Sequence, residues 1–301
     1  MTSSNHLEII AFTDPVCTWC WGSEPVLRKL EMVYGEQIKI RYVMGGLVEN
    51  IRNFYDSANN IGGDPEQVNG QVARHWLEAS ERHGMPVCIE GFRLFSPDVL
   101  STYPQNIAFK AVELTDVDKA SAFLRRVREA SAAEARETGR TEVLVELATE
   151  MGIDLETLLQ HLNDGSAEEA FRKDLAFTRQ YAVRGFPTFL LRYDGRELML
   201  RGYQRFGGFK AAIELLTGKE LQAKQPNPSQ EGVLEFIQGH GRVAPIEIET
   251  AFDLSSDQRE TITQALIGSG LVRWESAGNG GFFRTASTSQ VCDADTGVCL
   301  M

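Results

Sequence analysis

The sequence predicts an α/β fold: a β-α-β unit, a long helical block, a closing β-β-α unit, and then a small α+β unit. Three observations carry this prediction. The apolar run at residues 7–12 leads into Asp14-Pro15-Val16-Cys17-Thr18-Trp19-Cys20-Trp21 and then into a helical pattern. Residues from about 64 to 184 carry one amphipathic helical pattern after another. Residues 187–193 and 196–202 are strand-like and flank Asp194-Gly195, a tight-hairpin dipeptide.

In the first unit, Val26, Leu27, Leu30, Val33 and Tyr34 recur at helical spacing, and residues 37–44 alternate as a second strand before Gly45-Gly46. In the helical block, Asp64-Pro65 opens a helix that stops at Gly84, and Tyr103-Pro104 opens another. A third is expected from about 118 to Gly139, with shorter helices over 141–151, 155–162 and 166–183. Residues 206–216 read as the closing helix, and 222–229 as a polar, proline-punctuated linker. The tail shows helices at 232–238 and 245–252 and a capping box, Ser255 with Gln258, ahead of a third. A hairpin around Gly278-Asn279-Gly280 follows. Three short helices and a two-stranded wing resemble a winged-helix domain at 229–287. The expected division is 1–221, 229–287 and a mobile tail at 288–301 carrying Cys292 and Cys299.

The chain has 301 residues and a net charge of −12, which excludes a nucleic-acid surface or an anionic membrane as its main partner. The tail unit carries eight acids against four arginines, so its expected use is protein contact or homodimerisation, not DNA binding. No signal peptide or membrane-length apolar run is visible, and five cysteines do not form a secreted disulfide framework. The expected setting is cytoplasmic and reducing, where a cysteine pair is more often catalytic than structural.

Three readings fit Cys17 and Cys20: a redox dithiol, half of a metal site, or inert core residues. A strand delivering the pair to a helix start favours redox chemistry, because a helix N-terminus lowers a thiol's pKa. A metal needs more ligands than the sequence offers nearby, so none is expected. The second informative stretch is Arg184-Gly185-Phe186-Pro187-Thr188-Phe189, with proline at a strand start, where its missing amide is tolerated. Taken together, the two motifs resemble the thioredoxin superfamily. The helical block between them resembles its DsbA-like branch, giving a thioredoxin-like fold with a large helical insertion. Residues 14–21 are similar to the FrnE-type predicted dithiol–disulfide isomerases and to the YjbH/SpxH adaptors.

The resemblance, which spans about residues 7–218, implies Cys17 as exposed nucleophile, Cys20 as buried resolving thiol and Pro187 as a cis-proline packed against them. It also implies that the backbone around Phe186 pairs with an extended substrate. Trp19, Trp21, Phe186 and Thr188 are the expected substrate contacts, with packing of the helix start as the equal alternative for Trp19 and Trp21. Thr18 and Trp19 replace the internal histidine of the periplasmic oxidants, which predicts a reductase or isomerase of protein disulfides. Glutathione or thioredoxin is the expected electron donor, with no resident cofactor. The alternatives are an adaptor for regulated proteolysis with a redox-sensing dithiol, and a glutathione-dependent kappa-type enzyme, which both cysteines argue against. Cys292 and Cys299 could form a second redox pair. Cys88 reads as a small packed side chain, and the histidines at 75, 83, 161 and 240 as surface or satisfied-core groups.

Overall fold

A computed structural model describes residues 6–286, so Cys292 and Cys299 lie outside the described residues. Strands β1 (Leu7–Thr13) and β2 (Ile38–Met44) are parallel, separated by a one-turn helix α1 (Thr18–Trp21) and by α2 (Glu24–Tyr34). A small hairpin, β3 (Tyr55–Asp56) with β4 (Ile61–Gly62), precedes six helices. These are α3 (Val68–His83), α4 (Tyr103–Thr115), α5 (Val117–Ala132), α6 (Thr141–Glu150), α7 (Leu155–Asn163) and α8 (Ser166–Gln180). Strands β5 (Thr188–Tyr193) and β6 (Arg196–Arg201) and helix α9 (Phe206–Thr217) close the unit. The sheet order is β2-β1-β5-β6, with β5 antiparallel to both neighbours.

Alternation along β1 decides the layers. Leu7, Ile9 and Ala11 face α2 and α9, whereas Ile10 and Phe12 face Phe177 of α8 and Tyr181 just beyond its end. Phe12 stacks on Phe177 at 5.6 Å. The inserted helices α4–α8 bury a separate core around Phe109, Phe123, Leu147 and Phe171.

The third inserted helix is shorter than expected, ending at Ala132 instead of near Gly139. The chain turns through Ala135 at φ +52°, which lets Glu134 reach Arg126 and Arg242. Charge pairing there overrides the helix-forming residues that follow.

Three helices and a hairpin complete the chain: α10 (Gln230–His240), α11 (Pro245–Phe252), α12 (Ser256–Gly268), β7 (Val272–Ala277) and β8 (Gly280–Thr285). Beyond the stretch at 222–229 the tail unit buries a core of its own around Val233, Ile237, Ile248 and Leu266, and a second core is shared across that stretch. Trp21, Ala244, Ala277 and Phe282 belong to one buried cluster with Trp76 and Met85. The hairpin tip is also tied down: Val87 and Asn279 exchange hydrogen bonds at 2.8 and 2.9 Å. Among the described residues, no helix is long and apolar enough to cross a membrane.

Phe282 is fully buried against Trp21 and lies 4.4 Å below the Arg242 guanidinium. Phe282→Ala should cost about 3–5 kcal/mol in urea unfolding, the range for a buried aromatic truncation.

Candidate functional site

Cys17 caps α1, accepting a hydrogen bond at its Sγ from the Cys20 amide at 3.2 Å. The helix then breaks at Gly22 and Ser23, because Pro25 has no amide to continue the ladder and suits only the first turn of α2. Gly22 is required there: a Cβ would sit 2.5 Å from the His83 ring. The expected long helix dipole behind the thiols is therefore absent, and one local amide replaces it.

Both cysteines are free thiols and both are buried, Cys17 6% and Cys20 2% exposed. Cys17 is thus less buried than its partner but not the exposed thiol the resemblance implied, since Phe186 and Trp19 crowd its approach. It lines a cleft of about 650 Å³ together with Trp19, Gly46, Tyr55, Arg179 and Phe186. Cys20 instead lines a much smaller cavity behind, of about 10 Å³, with Thr13, Tyr42, Arg128 and Pro187. That volume is on the scale of one water.

The Phe186–Pro187 bond is cis, and the Cys17 thiol donates to the Phe186 carbonyl at 3.6 Å. The Phe186 ring lies directly over Gly45, where a Cβ would approach within 2.0 Å. Strand β2 thereby sets the height of the proline loop over the thiols.

Two expected substrate contacts are corrected. Trp21 is 1% exposed, donates to the Pro86 carbonyl at 3.0 Å and lies 4.5 Å from the Arg125 guanidinium. It packs the tail unit against the site and does not reach the cleft. Thr188 is buried in β5, where its hydroxyl closes the turn by donating to Gly185 O at 2.8 Å. Trp19 does stand at the cleft, edge-on to His75 and His83 and near Tyr203.

The residues sequence reasoning missed are the charged ones behind the pair. Asp14 is fully buried, accepting from the amides of Val16 and Leu47, from Thr102 Oγ1 and from Asn106 Nδ2. Burial pushes its carboxyl up despite those four donors. Arg128 is 1% exposed, ion-paired with Glu24 and 2.5 Å from Thr13 Oγ1. Burial and the neighbouring Cys20 push Cys17 well up. For Cys20, burial opposes ionisation, but the Cys17 hydrogen bond, the Arg128 charge and Thr13 outweigh it and hold that thiol down. The first proton therefore leaves the pair more easily than the second. One signal was available: Arg128 stands one turn after Leu124, on the buried face of α5.

The profile described as thioredoxin matches residues 10–209. The chain belongs to the thioredoxin family. Its inserted helices and mixed sheet give it a DsbA-like form of the thioredoxin fold. It is 29% identical to the ClpXP adapter protein SpxH of Halalkalibacterium halodurans, over 87% of this chain and 83% of that one. The Bacillus subtilis ClpXP adapter protein SpxH is 28% identical, over 94% of this chain and 90% of that one. Among solved structures, the cytosolic disulfide reductase DsbM of Pseudomonas aeruginosa superposes with a TM-score of 0.55 at 23% identity. That fold match covers 70% of this chain and 98% of the other.

His83 supplies a pH test of this thioredoxin-family site. Its Nδ1 accepts from the Met85 amide at 3.1 Å and its Nε2 faces Thr18 Oγ1 at 3.5 Å, as a neutral ring requires. Burial pulls its pKa to about 4, so the unfolded chain binds the proton near 6.5 and the folded chain only near 4. Its stabilising effect is complete above pH 6.5 and is lost as pH falls towards 4, on the order of 3 kcal/mol. Urea unfolding from pH 7.5 to 4.5 should show that loss, and His83→Gln should make the slope shallower.

Proposed function

We propose that the chain is a thiol–disulfide oxidoreductase that reduces or isomerises protein disulfides through Cys17 and Cys20. The observation that carries this reading is the division of the two thiols. Cys17 lines the open cleft beside the Phe186 carbonyl, whereas Cys20 lines only the cavity behind. A substrate disulfide in the cleft would meet Cys17 first. The thiolate, favoured on Cys20, takes the Cys17 proton as the Cys17 sulfur attacks. A Cys17–substrate disulfide forms and one substrate thiolate leaves. Cys20, its proton released again with Arg128 beside it, then attacks Cys17; the second substrate thiol departs and a Cys17–Cys20 disulfide remains.

Thr18 and Trp19 place no imidazole between the cysteines, and His83 is turned to Thr18, so the pair lacks the internal histidine of strong oxidants. Net reduction by a thiol donor, glutathione or thioredoxin, follows from that composition. The backbone at Phe186 and the ring of Trp19 are the proposed holds on an extended substrate chain.

A second reading, a protein adaptor whose dithiol senses redox conditions, has one observation in its favour. The likeness to the SpxH adapters runs over 87–94% of the chain, well beyond the 70% shared with the reductase fold. The tail unit thus belongs to the part shared with adaptors, and its acidic balance suits protein contact.

Cys17→Ser should abolish glutathione- or thioredoxin-dependent reduction of insulin, and Cys20→Ser should accumulate mixed disulfides at Cys17. Absence of insulin reduction by the intact chain, with partner binding unchanged in Cys17→Ser, would instead leave the adaptor reading.

A further inference from the structure

Behind the dithiol, buried charges of alternating sign run from the thiols to the tail unit. Arg128 shares the small cavity with Cys20 and is bonded to Thr13, which also bonds Cys20. Its other partner is Glu24, the first residue of α2. Glu24 lies 3.5 Å from Arg125, and Arg125 pairs with Glu247 of α11 at 2.8 Å. Arg28 meets the same Glu247 oxygen at 2.8 Å. All six side chains, Glu129 completing the set through Arg125, are buried. Arg128 also retains one buried donor, its Nε, with no acceptor.

We propose that Arg128 is the positioning residue for the thiolate of the reduced pair, and that the tail unit sets its strength through Glu247. Part of this rests on the dithiol being reactive, as in the oxidoreductase reading. The physical argument is one of competition. Glu24 neutralises Arg128, but it also faces Arg125. Glu247 satisfies Arg125 and so leaves Glu24 to Arg128. Removing the Glu247 charge, or withdrawing α11, turns Arg125 onto Glu24 and leaves more of the Arg128 charge for the sulfur. In a buried site that redistribution is poorly screened, so it reaches the thiols. A partner that pulls on the tail unit would then make the dithiol more acidic without touching the cleft.

The other groups facing the pair do not reproduce this effect. Asp14, at the end of β1, opposes ionisation of Cys17; Tyr42 of β2 is held neutral by burial; and His83 of α3 is neutral above pH 4 and turned to Thr18. Arg128 of α5 is the cation beside the sulfurs, and Glu24 of α2 is its counter-charge.

The test is the thiolate absorbance of the reduced full-length chain against pH, with Cys88, Cys292 and Cys299 replaced by serine. It needs no turnover, so it succeeds or fails independently of insulin reduction. Arg128→Gln should raise the first apparent pKa of the pair by about 1–3, the effect of losing a nearby opposite charge. Arg128→Lys should restore most of it. Glu247→Gln and Glu24→Gln should shift the same pKa the other way, downwards, and quicken alkylation by iodoacetamide at neutral pH. General loosening of the fold would move every variant in one direction. An unchanged titration in Arg128→Gln, or a shift of the same sign in Glu247→Gln, overturns the proposal. Should Arg128→Gln not fold, the downward shifts of the two glutamate variants decide it.

Discussion

The carboxylate of Glu247 is the interaction on which the arrangement of this molecule depends. It is wholly buried, pairs with the Arg28 guanidinium at 2.8 Å, accepts from both terminal nitrogens of Arg125 and from the Ala244 amide, and so ties α2, α5 and α11 together. Taking such charges out of water costs several kcal/mol per ion, which hydrogen bonds on every side must offset. The geometry here does so: three hydrogen bonds and a second guanidinium surround one carboxylate, and although burial pulls its pKa up, the Arg125 and Arg28 charges hold it below its ordinary value. An apolar junction of the same size would be no weaker, but it could slide. Ion pairs at defined atoms fix a register between the tail unit and the helix that follows the dithiol.

What was legible in the sequence was the part governed by local patterns. The apolar run of β1, the capping box at Ser255, the stop at Gly84 and the Asp194-Gly195 turn all depend on neighbours within a few residues, and the structure has each of them. The pairing of Cys17 with the Phe186–Pro187 loop, 169 residues away, was legible only because two short motifs resemble one family. What failed was whatever depends on distant charges. Nothing near Trp21 in sequence announces that Arg125 and Phe282 will bury it, so an aromatic beside a dithiol read as a substrate contact. Arg128 was hidden among Arg125, Arg126 and Glu129, a cluster that looks like an ordinary solvated helix face.

The site itself balances two opposed demands. Burial makes a thiol reluctant to ionise, and both cysteines are buried. The groups that counter it act unequally on the two sulfurs: the Cys20 amide on Cys17, and the Cys17 hydrogen bond, the Arg128 charge and Thr13 on Cys20. The pair is therefore a single acid with an uneven distribution of charge, not a reactive thiol with a passive neighbour.

The shared core around Trp21 has a further consequence, for the meaning of a domain boundary in this chain. The polar stretch at 222–229 is a boundary of composition, and Lys224 within it already bonds back to Val33 at 2.8 Å. Solvent does not pass between the units at the level of the indole. A chain cut at that linker would keep every residue of the cleft and both thiols, yet it would open to water the face of Trp21 that lies one peptide bond from Cys20. The smallest piece that contains the chemistry is thus larger than the smallest piece that contains the motif.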